Sequence, residues 1–461
     1  MSADDAPFSS QSQDATGPAA AATATDVKEP TAPPRARPRS PLRRRNFALL
    51  FSGQLISVIG DQVYGLALPW TVLAVTGDPR QMAYVLTAAT IPRVLLLLVG
   101  GALADRLNPR VVMLTADAGR ALVVGALGFT LFAGLPPLWV VASLAAMEGA
   151  GTGLFGPGVQ ALLPRILPDE ELQAGNGLMM VVQYATMTIG PVLGGIATAA
   201  QATIAFLADA ASFLVSTLSL LGIRLPAREP SAGSAAAIEN RPARAGLLGE
   251  IGAGLSYTFG HPLIRATMLV TTIANLGIAG TVSVALIVLS RNLSSSPVTL
   301  GLLLAAVGLG GIIGGLSAVI FSRLRHRGMM ALLLWGVGGI LLALIAVVAG
   351  PAGHLPLVPD LGLDSTTRIG AVAALLGCIG VIAALGDTVI LTLMQQRVAA
   401  EYLARVFSVQ FVAGGITQPL SLVLAGIIAA TCGPGIVFVV GGALLVFAVM
   451  LGMFSRELRR I

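Results

Sequence analysis

Asp61, Arg93 and Glu148 stand inside three separate runs of apolar residues, where an ionisable side chain is rare. A charge held at the centre of a hydrocarbon layer costs roughly 2.5–3.5 kcal/mol on insertion scales, so such residues are functional candidates. Counted from the arginine-rich ends of their runs, they lie ~21, ~18 and ~20 Å in, at ~1.5 Å per helical residue. All three therefore share one depth. Their chemistry is proton binding and ion pairing. A guanidinium beside a carboxylate favours its ionised form, so Asp61 is expected to pair with Arg93 and to be chiefly structural, with coupling as its second role. Glu148 has no arginine at its depth in its own run and is the first choice for the group that binds and releases a proton. Asp117 and Arg120 are three residues apart, share a helix face, and are expected to pair with each other near one membrane surface in a structural role. Asp387 lies ~14 Å in and is a candidate for a cavity wall or gate. Asp209 reads as a structural hydrogen-bonding group. Polar handles for an otherwise apolar cavity are Gln54, Tyr64, Gln183, Tyr184, Asn275 and Gln410.

The elements that must position these residues follow from composition. Apolar residues make up 55% of the chain and charged residues 11%, with a mean hydropathy of +0.85. A soluble domain carries about 25% charged residues, so this chain cannot cover a water-facing surface. The abundance of glycine (55 residues) and the 5% of aromatics fit packed membrane helices better than a barrel. On the scale of ~20 residues per crossing, spans are predicted near 47–71, 82–104, 111–133, 137–161, 175–199 and 202–223. A second set is predicted near 264–289, 298–321, 329–350, 369–395, 405–430 and 434–454. The fold class expected is all-α integral membrane, with twelve spans in two six-helix halves.

Arginine placement orients the bundle. Alternate connections carry Arg106 and Arg110, then Arg165, then Arg224, Arg228, Arg241 and Arg244, then Arg323, Arg325 and Arg327, then Arg397; the others hold Arg80, Arg291 and Arg368. Basic loops stay in the cytoplasm, so both termini are expected there. The net charge of +6 thus belongs to a membrane face and not to nucleic-acid binding. Residues 1–45 read as a disordered cytoplasmic tail with no cleavable signal, 46–223 as the first half, 224–260 as a linker, 261–455 as the second half and 456–461 as a short tail. An internal repeat supports the division: Arg165 precedes Asp169 by four residues, and Arg397 precedes Glu401 by the same interval. Two cysteines, Cys378 and Cys432, build neither a disulfide framework nor a metal site. No phosphate-binding loop and no Ser/His/Asp constellation is visible in the sequence, so neither ATP, another cofactor, a metal nor an enzymatic reaction is expected.

The stretch Gly100–Arg110 (GGALADRLNPR) resembles the signature loop of the major facilitator superfamily, through Asp105, Arg106 and Arg110. Asn108 and Pro109 depart from the usual glycine and arginine. Gly53–Trp70, Ile91–Arg106 and Ala161–Asn176 are similar to the drug-exporter branch that holds macrolide efflux proteins and the enterobactin exporter. The likeness covers roughly residues 46–455. It implies a cytoplasmic gate at Asp105, Arg106 and Arg110, and a central cavity lined by spans one, four, seven and ten. Gly190–Gly195 (GPVLGG) matches the core of the antiporter motif through Gly190, Pro191, Gly194 and Gly195. Physically, Pro191 frees a backbone carbonyl while the glycines admit a close neighbour.

The function expected is proton-driven export of a small lipophilic or amphipathic compound, such as an antibiotic, siderophore or other secondary metabolite. Its partners would be that substrate, protons and the lipid bilayer, and the site of action the bacterial cytoplasmic membrane, with the chain a monomer. The rivals are a lipid or lysolipid flippase and a non-transporting membrane scaffold or sensor.

Overall fold

The computed structural model describes residues 40–134, 136–225, 260, 262–321, 327–354, 360–397 and 400–455. Among them the long elements are all helical, with no strand. The first set comprises α1 (Arg45–Thr76), α2 (Pro79–Arg106), α3 (Pro109–Ala133), α4 (Leu138–Ile166), α5 (Asp169–Ala200) and α6 (Ala202–Gly222). The second begins with α7, which runs as Pro262–Gly280, a π-helical turn Thr281–Ala285, and Leu286–Leu293. It continues with α8 (Pro297–Phe321), α9 (Arg327–Ala349), α10 (Ser365–Arg397), α11 (Ala400–Cys432) and α12 (Pro434–Phe454). Eleven of these are long and apolar enough to cross a membrane; α2, which carries Arg80 and Arg93, is the other long helix among the described residues.

Local chemistry sets the helix ends. Gly77 closes α1 with a left-handed φ of 67°, returning its N–H to the Leu73 carbonyl at 2.9 Å, a conformation that suits glycine. Asn108 caps α3: its side-chain oxygen accepts the Arg110 N–H at 3.1 Å, with Pro109 in the first turn. The Asn-Pro departure from the signature loop is thus a helix start. In α7 the π turn disrupts the regular ladder. Just before it, Ser421 of α11 is inserted into the ladder, accepting the Gly280 N–H at 2.8 Å and donating to the Leu276 carbonyl at 2.6 Å.

The outer faces are apolar. Leu122, Phe129 and Phe132 project from one face of α3 and are largely exposed, as are Trp139, Leu316 and Phe454. In water such a surface would drive aggregation; in a bilayer it meets acyl chains. Lipid removes the hydrophobic drive between helices, so close backbone contact and internal hydrogen bonds must hold the bundle. The α2–α4 contact shows how close: a Cβ on Gly149 would stand 2.0 Å from the Ala89 carbonyl oxygen.

The packing repeats. In the first set α1 packs on α5 and α6, α4 on α2 and α3, and α3 on α6. The second set shows every one of these pairings with each helix advanced by six. Asp169 opens α5 and Glu401 lies in the first turn of α11, in keeping with the Arg165/Asp169 and Arg397/Glu401 repeat. The sets meet chiefly through α2–α11 and α5–α8, contacts that the same exchange of helices converts into each other. An inter-set hydrogen bond from the Arg291 guanidinium to the Leu73 carbonyl ties the C-terminal ends of α7 and α1.

Candidate functional site

Arg120 of α3 is the hub of the first six helices. Its side chain is 2% exposed and lies over the Phe213 ring of α6, with the guanidinium carbon 3.8 Å from the ring centroid. The guanidinium donates to Glu148 of α4 through Nε at 3.2 Å and Nη2 at 3.0 Å. It also donates to Asp61 of α1, while Nη1 lies 3.6 Å from Asp117 Oδ1. Glu148 accepts a further 2.6 Å hydrogen bond from Thr152. Asp209 of α6 is fully buried; its Oδ1 accepts from Ser212 at 3.2 Å and faces the backbone of Gly60, one residue before Asp61.

Three carboxyl groups therefore meet one cation, and a fourth, Asp209, lies beside the backbone next to Asp61. Were all ionised, the cluster would carry a net charge of −3 inside a low-dielectric bundle, an arrangement heavily penalised by desolvation and mutual repulsion. The four carboxyls therefore form one electrostatic unit, each sensing the charge of the others. Asp61 is the opening to that unit, with 35% of its side chain accessible against 10% for Glu148.

Several expectations change here. Asp61 and Glu148 do come together, but the cation between them is Arg120 and not Arg93. The Asp117–Arg120 pairing is present, yet it belongs to the core of the cluster and not to a site near one membrane surface. Nothing in the span containing Glu148 betrays this, because its partner is supplied by α3.

Arg93 opens instead onto a cavity of about 610 Å³ between α2 of the first set and α7, α9, α10 and α11 of the second. Asn275, Asp387 and Gln410, three of the expected handles, line it. Trp335 and Gln418 line it as well and were not foreseen. Tyr64 is a core residue, stacked edge-on against Phe206 with ring centroids 5.8 Å apart. Gln54 is half-buried in α1, and Gln183 and Tyr184 are exposed on α5; none of the three lines this cavity.

The GPVLGG stretch has two working faces. Gly190 and Gly194 press on Gln62 and Val63 of α1, within the first set. Gly195 meets Pro297 and Val298 at the start of α8, and the Pro191 carbonyl receives Gly301 of α8. The motif thus sits at one of the two major contacts between the sets. Of the expected gate, the Asp105 and Arg106 side chains lie outside the described residues. Arg110 caps α6, donating to the Leu220 and Leu221 carbonyls, each at 2.8 Å.

Residues 50–416 match the family model of the Major Facilitator Superfamily, and the chain belongs to that superfamily: it is a multi-pass membrane transporter and not an enzyme. Its relatives include drug-efflux proteins. It is 27% identical to the multidrug efflux pump Tap of Mycolicibacterium fortuitum, over 86% of this chain and 90% of that one. It is 20% identical to macrolide efflux protein A of Streptococcus pyogenes, over 90% and 97%. In fold it is similar to a bacterial homologue of the iron transporter ferroportin in an inward-facing state, with a TM-score of 0.65 and 16% identity over 89% and 98% of the two chains. The nucleoside transporter NupG gives a TM-score of 0.64 at 12% identity, over 88% and 100%.

Proposed function

We propose that this protein is a proton-coupled antiporter that expels small lipophilic or amphipathic compounds from the bacterial cytoplasm. The observation that carries the reading is the set of carboxyls around Arg120. Asp61 and Glu148 compete for one guanidinium, so a proton arriving on either one releases Arg120 toward the other. Because these groups come from α1, α3 and α4, that exchange shifts the balance between packing arrangements of the first set. The cycle then runs by alternating access. A proton enters from outside at Asp61 and is shared with Glu148, and the substrate leaves outward. The two six-helix halves rock about α2–α11 and α5–α8, and the proton departs inward as new substrate binds. Twelve spans with both termini in the cytoplasm complete this picture. The drug-efflux names among its relatives support export, and antibiotics, siderophores and other secondary metabolites are the substrates in view. The energy source is the proton gradient, with no cofactor, and the working unit is a monomer.

The test is efflux of ethidium, Hoechst 33342 and norfloxacin from cells expressing wild type, Asp61→Asn or Glu148→Gln at matched levels, with and without a protonophore. The expected result is export that collapses with the protonophore and is lost in both variants. Export indifferent to the gradient removes proton coupling. Failure of all three compounds, with lysolipid moved instead, favours the flippase alternative.

A further inference from the structure

We propose that the cavity between α2 and helices α7, α9, α10 and α11 binds amphiphiles carrying a positive and a negative group together, Arg93 receiving the anionic end and Asp387 the cationic end. This rests on the transporter reading above and names the substrate class it takes. Among the described residues, Arg93 and Asp387 are the two charged residues of the cavity wall. They come from different helix sets, Arg93 from α2 and Asp387 from α10. Neither takes part in an ion pair or side-chain hydrogen bond among the described residues. A ligand with one charge is attracted by one wall and repelled by the other. A ligand with both charges satisfies the two together, and its charge-assisted hydrogen bonds are the strong kind.

The rest of the wall fits the body of such a molecule. Val94, Leu97, Ile390 and Leu391 supply apolar surface, and the volume suits a drug-sized ligand. The indole of Trp335, its Nε1 edge against Gly386, lines the same wall and adds flat apolar surface for the ligand body. Gln410 offers a buried side-chain oxygen with no hydrogen-bond partner among the described residues.

Norfloxacin is a suitable probe, since at pH 7.4 it is a fluorescent zwitterion with its charges at opposite ends. Its ethyl ester is a cation and its N-acetyl derivative an anion. Binding would be measured by fluorescence anisotropy to the purified full-length protein in dodecyl maltoside. Wild type is expected to bind the parent at least about tenfold more tightly than either derivative, the loss of one charge-assisted contact. Arg93→Gln should erase the preference over the ester alone, and Asp387→Asn the preference over the N-acetyl form alone. These opposite changes separate charge recognition from general misfolding. Equal binding of all three compounds by wild type, uniform weakening of all three by both variants, or no saturable binding overturns the proposal. Displacement by lysophosphatidylcholine, with the same dependence on both residues, assigns the zwitterion to a lipid headgroup. Parent-selective binding without displacement assigns it to a soluble amphiphile. Binding requires no gradient, so a failed charge preference leaves proton-driven export standing, and gradient-independent export leaves the charge preference standing.

Discussion

Replacing Arg120 by glutamine is expected to abolish gradient-driven transport and to destabilise the purified protein by about 3–5 kcal/mol, the cost of stranding buried partners. The reason is the ratio of charges. Arg120 faces Asp61, Glu148 and Asp117 at once, and a neutral amide leaves all three without a cation. Arg120→Lys should rescue little. An ammonium lacks the planar fork that reaches several carboxylates and the flat face that stacks on a ring, and Phe213 lies 3.8 Å from the guanidinium carbon. Adding Glu148→Gln to Arg120→Gln removes one stranded charge, so it should restore part of the stability and none of the transport. Thermal unfolding in detergent, read beside efflux, checks both halves. Wild-type stability in Arg120→Gln would mean that the cluster is not held by this cation.

Substituting Gly301 by alanine should cut efflux about tenfold or more while expression stays normal. Its new Cβ would stand 2.4 Å from the Pro191 carbonyl oxygen, a backbone atom of α5 that cannot turn aside. Overpacking of this kind costs roughly 1–3 kcal/mol, and placed on one conformation alone it shifts the population about tenfold per 1.4 kcal/mol. The state that brings α5 against α8 is therefore depleted. The readout is labelling of Thr188→Cys, which lies beneath the same contact against Gly308, by an impermeant maleimide in a background with Cys378 and Cys432 replaced by serine. Labelling should rise several-fold when Gly301→Ala is added. Unchanged labelling and efflux would remove α5–α8 as a moving contact.

The bundle was legible in the sequence because lipid imposes a length and an apolarity that few other solvents demand. The predicted spans fall within the observed helices to within a few residues at most ends, and the extra length appears as helix beyond the apolar stretch, as at Asp169–Ala174 before the predicted span at 175. The repeat was legible through Arg165 and Arg397. The site was legible only in part. Asp61 and Glu148 announced themselves by depth, yet depth along a helix says nothing about which neighbour a side chain faces. Arg120 stands eleven residues beyond Pro109, or ~17 Å along α3, deeper than a place near one membrane surface. Its long side chain then reaches inward to α1 and α4. Arg93, at the expected depth, points into the cavity instead. The signal that could have found the hub was present: Asp117, Arg120 and Asp209 are three further ionisable residues in apolar runs, and one arginine among several acids is a charge imbalance that invites a common centre. Trp335 and Gln418 gave no such signal, because a tryptophan or glutamine within a membrane helix has many structural uses.

The most direct test of the central claim is proton release on substrate binding, with no membrane and no gradient. Purified wild-type protein in weakly buffered dodecyl maltoside would receive the compound that the efflux experiment shows to be exported, with pH followed by a dye. The expected result is a net release approaching one proton per protein at the pH where release is greatest, abolished in Glu148→Gln and in Asp61→Asn although both still bind the compound. Saturable binding by wild type with no release, or undiminished release in both variants, would contradict it.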